Sequence, residues 1–151
     1  MTIKKHDNSA IHLSDVGFGD YTGECTFEEG IASGLLLNVS SWVRNEMNFG
    51  KNRYSVEVAV TARLWKTIVR ISPLAKRWQT VVSRGNDALW LASYALHKAR
   101  QVGQETATFQ CFLPTEDDWG DECVKLLRVQ WSLQDDRPVI VIGYVEEFAM
   151  L

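Results

Sequence analysis

From Asn86 to about Gln101 the chain sets Ala88, Leu89, Ala92, Ala95, Leu96 and Ala99 on one broad apolar face at helical spacing. A helix with such a face has to lie on another layer, because an apolar stripe left in water gains nothing from folding. Its basic end, His97, Lys98 and Arg100, suits the negative end of the helix dipole. Gly85-Asn86-Asp87 reads as a stop and a start. Gly85 can take the left-handed conformation that ends one element, and Asn86 or Asp87 can cap the next. The layer beneath is a sheet. Arg53 to Thr61 puts Tyr54, Val56, Val58 and Val60 on one face, the clearest period-two pattern in the chain. Leu89, Ala92 and Leu96 are therefore expected to pack on a sheet that contains Tyr54 to Thr61.

Other segments fill in that sheet. Val124 to Leu133 and Val139 to Val145 flank the turn-rich Gln134-Asp135-Asp136-Arg137-Pro138, the pattern of a β-hairpin. Thr106 to Leu113 is strand-like. Tyr21, Gly23, Cys25 and Phe27 alternate on one face, a strand signal. Lys66 to Ser72 is β-branched and reads as a strand closed by Pro73. Residues 76–83 fit a strand or a helix, with Ser72 and Pro73 available as a cap and first-turn pair for the helix. In residues 30–48, Ile31, Leu35, Val39, Trp42, Val43 and Met47 form a helical stripe, whereas Leu35, Leu37 and Val39 also suit a strand. The longer match favours the helix. The sum is an α+β domain: a mostly antiparallel sheet of five to seven strands with two helices packed on one face.

One domain over residues 1–151 is expected, since a chain of 151 residues, 46% hydrophobic, can bury a core without staples. Three prolines and ten glycines are scattered, with no linker and no repeat. Residues 1–9 are polar and are expected to be flexible. Lys4 and Lys5 have no apolar core behind them, so the start does not fit a secretory leader. No apolar run approaches the ~20 residues of a membrane span. Cys25, Cys111 and Cys123 are odd in number and lack C-x-x-C spacing, which points to a reducing compartment and the cytoplasm. Cys25 and Cys111 sit in alternating apolar stretches as small hydrophobes. Cys123, beside Asp121 and Glu122, is the thiol expected to reach solvent, and neighbouring carboxylates make it a poor nucleophile.

No catalytic, cofactor-binding or metal-binding constellation is legible. Gly17-Phe18-Gly19-Asp20 lacks both the further glycine and the Lys-Ser/Thr pair of a phosphate loop. There is no G-x-S-x-G elbow, no H-E-x-x-H and no Cys/His zinc spacing. His6 lies in the polar start, His97 among basic residues, and His12 between Ile11 and Leu13 has no recognisable partner base or nucleophile. Asp117/Asp118, Asp135/Asp136 and Glu146/Glu147 are adjacent pairs, which on a strand point to opposite faces. Asp117, Asp118 and Asp121 miss the calcium-loop pattern.

Charge is segregated along the chain. The formal net charge of −3 divides into −4 over residues 1–50, +8 over 51–100 and −7 over 101–151. Such segments either neutralise each other in space or leave a dipolar surface that steers a charged partner. Six tryptophans sharpen the question. Trp42, Trp90 and Trp131 fall in periodic segments and are expected in the core. Trp65 and Trp78 stand beside Lys66 and Arg77, and with Arg70, Lys76 and Arg84 could stack on and clamp a nucleic acid. Core packing of both rings is the favoured reading, and a pI of about 5.6 argues against a nucleic-acid binder. Trp119 differs, standing among Glu116, Asp117, Asp118, Asp121 and Glu122 with no periodic apolar neighbour. It is either a presented indole ringed by carboxylates, as at a protein-binding hot spot, or a ring folded back over a sheet edge.

Val69-Arg70-Ile71-Ser72-Pro73, Trp78, the run from Gly85 to Ala92 and Leu96 resemble a family of small bacterial domains, some of them immunity-type proteins of toxin systems. That resemblance implies a strand ending in proline, a further strand, and a leucine-rich helix opened by Gly-x-Asp. The first expectation for function is a non-catalytic, inhibitory or immunity-type bacterial or phage protein. It would neutralise a protein partner with a basic surface through Glu116, Asp117, Asp118, Trp119, Asp121 and Glu122. Carboxylates compete for the Arg and Lys groups that hold phosphates. Nucleic-acid binding by the basic middle third comes second and a small enzyme third. No cofactor or membrane is expected, and a homodimer is compatible with everything above.

Overall fold

The computed structural model describes residues 21–46 and 56–148. Among these residues five strands form one mixed sheet: β1 (Leu36–Asn38), β2 (Glu57–Thr61), β3 (Thr106–Phe112), β4 (Val124–Gln134) and β5 (Arg137–Tyr144). Their order across the sheet is β1-β2-β5-β4-β3. Every pairing is antiparallel except β2 with β5, which run parallel in the register Val58↔Ile140, Val60↔Ile142. The expected hairpin is present: β4 and β5 pair from Gln134↔Arg137 to Leu127↔Tyr144. Its two-residue turn puts Asp135 and Asp136 at φ 54° and 64°. Both positive values match the primed turn that a right-twisted hairpin prefers, and aspartate tolerates them better than most residues.

Among the described residues four α-helices cover the sheet: α1 (Phe27–Ser33), α2 (Ser40–Glu46), α3 (Ala62–Val69) and α4 (Val81–Gln101). Alternation along the central strands decides which side each serves. Val58 and Val60 of β2 and Ile140 and Ile142 of β5 face a large core with Trp42 and Val43 of α2, Leu64, Trp65 and Ile68 of α3, and Leu89, Ala92 and Leu96 of α4. The expected seating of α4 on the sheet is thus observed, with Tyr54 outside the described residues. Ala59, Val139 and Val141 face the other way, onto Tyr21, Leu36, Phe148 and Phe27 of α1.

Several local expectations give way to tertiary packing. Residues 66–69 belong to a helix rather than a strand. Thr61 caps α3 by accepting from the Leu64 amide at 3.1 Å, and Leu64, Trp65 and Ile68 then fall on one buried face. That burial outweighs the modest strand preference of Thr67, Ile68 and Val69. Residues 21–26 are not a strand. Thr26 opens α1 with a capping box, its hydroxyl accepting from the Glu29 amide at 3.0 Å while Glu29 accepts from the Thr26 amide at 2.9 Å. Of the single helix expected over 30–48, residues 30–46 form the end of α1, β1 and α2 in succession, with Gly34 at φ 81° ending α1, and Met47 and Asn48 lie outside the described residues. Gly85 is no stop either. It lies inside α4, which begins five residues earlier than expected at the cap Thr80. The strand–strand–helix order implied by the resemblance is therefore replaced by α3, a 3-10 turn at Ala75–Arg77, and α4. Three helices lie on one face and α1 on the other, where two on one face were expected. The flexibility expected of residues 1–9 lies outside the described residues.

Candidate interaction surface

The acidic segment connects β3 to β4, and its backbone is tied at several points. The Leu113 amide donates to the Cys123 carbonyl at 2.9 Å, closing the loop at its base. Asp118 organises the interior: its Oδ2 accepts from the Thr115 amide (2.8 Å), the Thr115 hydroxyl (3.0 Å) and Lys125 Nζ (2.7 Å). Burial alone would raise the Asp118 pKa, but the hydrogen bonds from Lys125 and Thr115 outweigh it and hold the carboxyl below its usual range. Lys125 also donates to the Glu122 carbonyl at 2.7 Å, and Glu122 Oε1 accepts from the Trp119 amide at 2.9 Å. Gly120, at φ 55°, then starts the 3-10 turn Gly120–Cys123.

The far side of the loop is anchored by Arg84, which the sequence offers as part of a nucleic-acid clamp. Arg84 is fully buried in the first turns of α4. Its guanidinium donates to the carbonyls of Ile68 (2.9 Å), Thr67 (2.7 Å) and Pro114 (2.9 Å) and to Gln79 Oε1 (2.7 Å). Two of those carbonyls belong to the last turn of α3, where orphan acceptors and the negative dipole end suit a cation. Burial lowers its pKa, and Cys111, Asp118 and Tyr144 oppose that.

Six acidic-loop residues were expected to meet a partner, and the structure sorts them. Trp119 is 83% exposed, so it is presented and does not fold back over the sheet edge. Glu116, Asp117, Asp121 and Glu122 are exposed around it. Asp118 is placed differently from the other five: it faces inward and is bonded within the loop. Arg70 reaches Asp117 at 3.5 Å and Glu116 at 3.8 Å, so the basic and acidic segments do meet in space here.

The alternative nucleic-acid set does not hold together. Trp65 is core, set edge-on to Trp42 with ring centroids 6.1 Å apart, and Arg84 is engaged by carbonyls. Arg70 faces carboxylates. Lys66, Lys76, Arg77 and Trp78 are exposed. Core packing was expected of both Trp65 and Trp78, and it is found only for Trp65.

Trp90, also expected in the core, is 57% exposed on the outer face of α4 with Leu91 and Tyr94. Beside it lies a groove of about 410 Å³ lined by Gln79, Asp87, Trp90, Leu91, Cys111 and Phe112. The spacing of Trp90 and Tyr94 was the signal for this surface, because residues four apart share one helix face. A larger hollow of about 890 Å³ lies against α1. Among its polar groups, Arg137 pairs with Glu28 at 2.9 Å and Asn38 donates to Glu57 at 3.0 Å.

Cys111 is buried, which pushes its thiol up to about 12, and burial also raises Cys25. Cys25 and Cys123 are both half-buried, so Cys123 is not alone in reaching solvent. His6 and His12 lie outside the described residues, and His97 is exposed on α4. Among the described residues no three His, Cys, Asp or Glu side chains are grouped to hold a metal ion. Among the same residues no helix is long and apolar enough to cross a membrane. Comparison of the chain with protein-family models, curated proteins and solved structures finds no match.

Proposed function

We propose that the protein is a non-catalytic binding protein of the inhibitory or immunity type. In this reading its β3–β4 loop docks on a basic surface of a partner protein. The observation that carries the proposal is Trp119, 83% exposed on a loop whose backbone is pinned by Asp118, Lys125, Glu122 and Arg84. An exposed indole on a pre-ordered scaffold costs little entropy to bury and has the character of an interface anchor. Asp117, Asp121, Glu116 and Glu122 supply steering and specificity around it.

The test is affinity capture from the source cell with the wild-type chain, Trp119→Ala, and an Asp117→Lys/Asp121→Lys double variant as parallel baits. The expected result is one protein held by the wild type and weakened by about 2 kcal/mol with Trp119→Ala, at unchanged melting temperature. The double reversal slows association and flattens its salt dependence. Equal capture by all three baits would reduce the loop to a connector. Capture of RNA or DNA in place of a protein would put the basic middle third first.

A further inference from the structure

The outer face of α4 carries a second surface, independent of the acidic loop. Asp87, Leu91, Tyr94 and Lys98 recur at intervals of four, three and four residues, the spacing of a coiled-coil seam. All four are exposed, Leu91 by 39% and Tyr94 by 62%, and the exposed Trp90 runs alongside. The seam is apolar in its middle and oppositely charged at its ends, with Asp87 toward the helix N-terminus and Lys98 toward the C-terminus. Lys98 Nζ lies 5.3 Å from the Tyr94 ring centroid, so the cation stays on the seam.

That order of charges selects an occupant. A second α4 laid parallel would set Asp87 on Asp87 and Lys98 on Lys98. Laid antiparallel about a two-fold axis between Ala92 and Ser93, it sets Asp87 against Lys98 twice and Leu91 against Tyr94 twice. Such self-complementarity is what an isologous interface requires. Tyr94 of the second copy then arrives opposite Leu91, at the α4 wall of the groove that Phe112 and Gln79 complete. We propose that this face of α4 is a homodimer interface, occupied by the α4 of a second copy running antiparallel. Partly exposed large side chains contribute roughly 100 Å² each. Trp90, Leu91, Tyr94 and Phe112 therefore offer on the order of 400 Å² of apolar surface per copy, short of the ~800 Å² of a standard interface. The dimer is accordingly a weak one, with a dissociation constant in the micromolar range.

Sedimentation equilibrium on the full chain, from about 1 μM to several hundred μM, tests the proposal, with Asp87→Lys, Lys98→Asp, their equimolar mixture and the double variant run alongside. All substitutions are at solvent-facing positions, and circular dichroism checks that each variant keeps its helix content. Expected are a concentration-dependent wild-type dimer and a roughly ten-fold or greater weakening in each single variant, because two attractive contacts become repulsive. The mixture of single variants re-forms a dimer. In it the lysine introduced at position 87 of one copy meets the aspartate introduced at position 98 of the other, and the unchanged Asp87 meets the unchanged Lys98. The double variant also dimerises. A wild type monomeric throughout, a dimer indifferent to both single changes, or a mixture that fails to associate would each overturn the proposal. Trp119→Ala leaves this dimer unaffected, which separates its failure from that of the acidic-loop reading.

Discussion

Gly85→Ala pits helix propensity directly against packing. Gly85 sits inside a long helix, where alanine is intrinsically better by about 1 kcal/mol. A Cβ at this position would run into Trp42 Cη2 and stand 2.7 Å from Cζ2. The indole has nowhere to retreat. It is 1% exposed, its Nε1 donates to Asn86 Oδ1 at 2.8 Å, and Trp65 lies edge-on against it. Overpacking of this kind costs about 3 kcal/mol at its upper range. Subtracting the propensity gain leaves a net loss of about 2 kcal/mol. In urea that lowers the unfolding midpoint by roughly 1 M. A Trp42→Phe background supplies the control, because phenylalanine lacks the outer ring atoms that the new methyl meets. There Gly85→Ala is expected to be neutral or stabilising, giving a coupling of about 2 kcal/mol in the double-mutant cycle. A Gly85→Ala variant as stable as wild type with Trp42 in place would refute the close approach of the two elements.

Arg84→Met strips donors from the buried carbonyls of Ile68 and Pro114 and one of the donors to the Thr67 carbonyl, and is expected to cost about 3 kcal/mol by chemical denaturation, while Arg84→Lys recovers only part because a point charge cannot reproduce the planar fork. Equal stability of Arg84→Met and wild type would show those carbonyls to be satisfied otherwise. The depressed pKa of Asp118 means that its contribution is fully present above the ordinary carboxylate range and is lost as pH falls through its lower folded value. The melting-temperature gap between wild type and Asp118→Asn is therefore expected to be widest near neutral pH and to close in acid, and a gap independent of pH would contradict the ionised pairing with Lys125.

What the sequence showed depended on how far each residue's partners lay along the chain. The β4–β5 hairpin, β3 and the sheet-facing stripe of α4 were legible because alternation and helical spacing are local properties. Thr26-Phe27-Glu28-Glu29 was legible too, as the Ser/Thr-x-x-Glu signature of a capping box, but the alternation of Tyr21, Gly23, Cys25 and Phe27 masked it. The helical state of residues 62–69 was hidden for a different reason. Thr67, Ile68 and Val69 favour strand locally, and only contacts of Trp65 and Ile68 with distant residues reverse the balance. Gly85 illustrates the same limit, since nothing near it in sequence announces that Trp42 will press on its backbone. For the candidate surface, the density of acid around Trp119 was visible, whereas the inward turn of Asp118 depends on Lys125 across the loop.

The fate of the basic middle third explains why the acid remains on offer. Five of its ten cations are engaged within the molecule, and Lys51 and Arg53 lie outside the described residues. Arg63 pairs with Glu146 at 2.8 Å and lies over the Tyr144 ring, and Arg70 faces Glu116 and Asp117. Arg84 is held by carbonyls, Lys98 rests against Tyr94, and Arg100 stacks 4.0 Å over Trp131. The described cations of residues 51–100 thus divide between these internal contacts and the exposed Lys66, Lys76 and Arg77. Half-exposed ion pairs such as that of Arg70 contribute little to stability, and a partner's arginine or lysine can displace them at small cost. Around Trp119, Asp121 and Glu122 form no ion pair among the described residues, and Glu116 and Asp117 hold theirs at 3.5 Å or more. Carboxylates left in water beside an exposed indole are easily kept solvated and easily engaged, which is the electrostatic condition that the proposed docking on a basic surface requires.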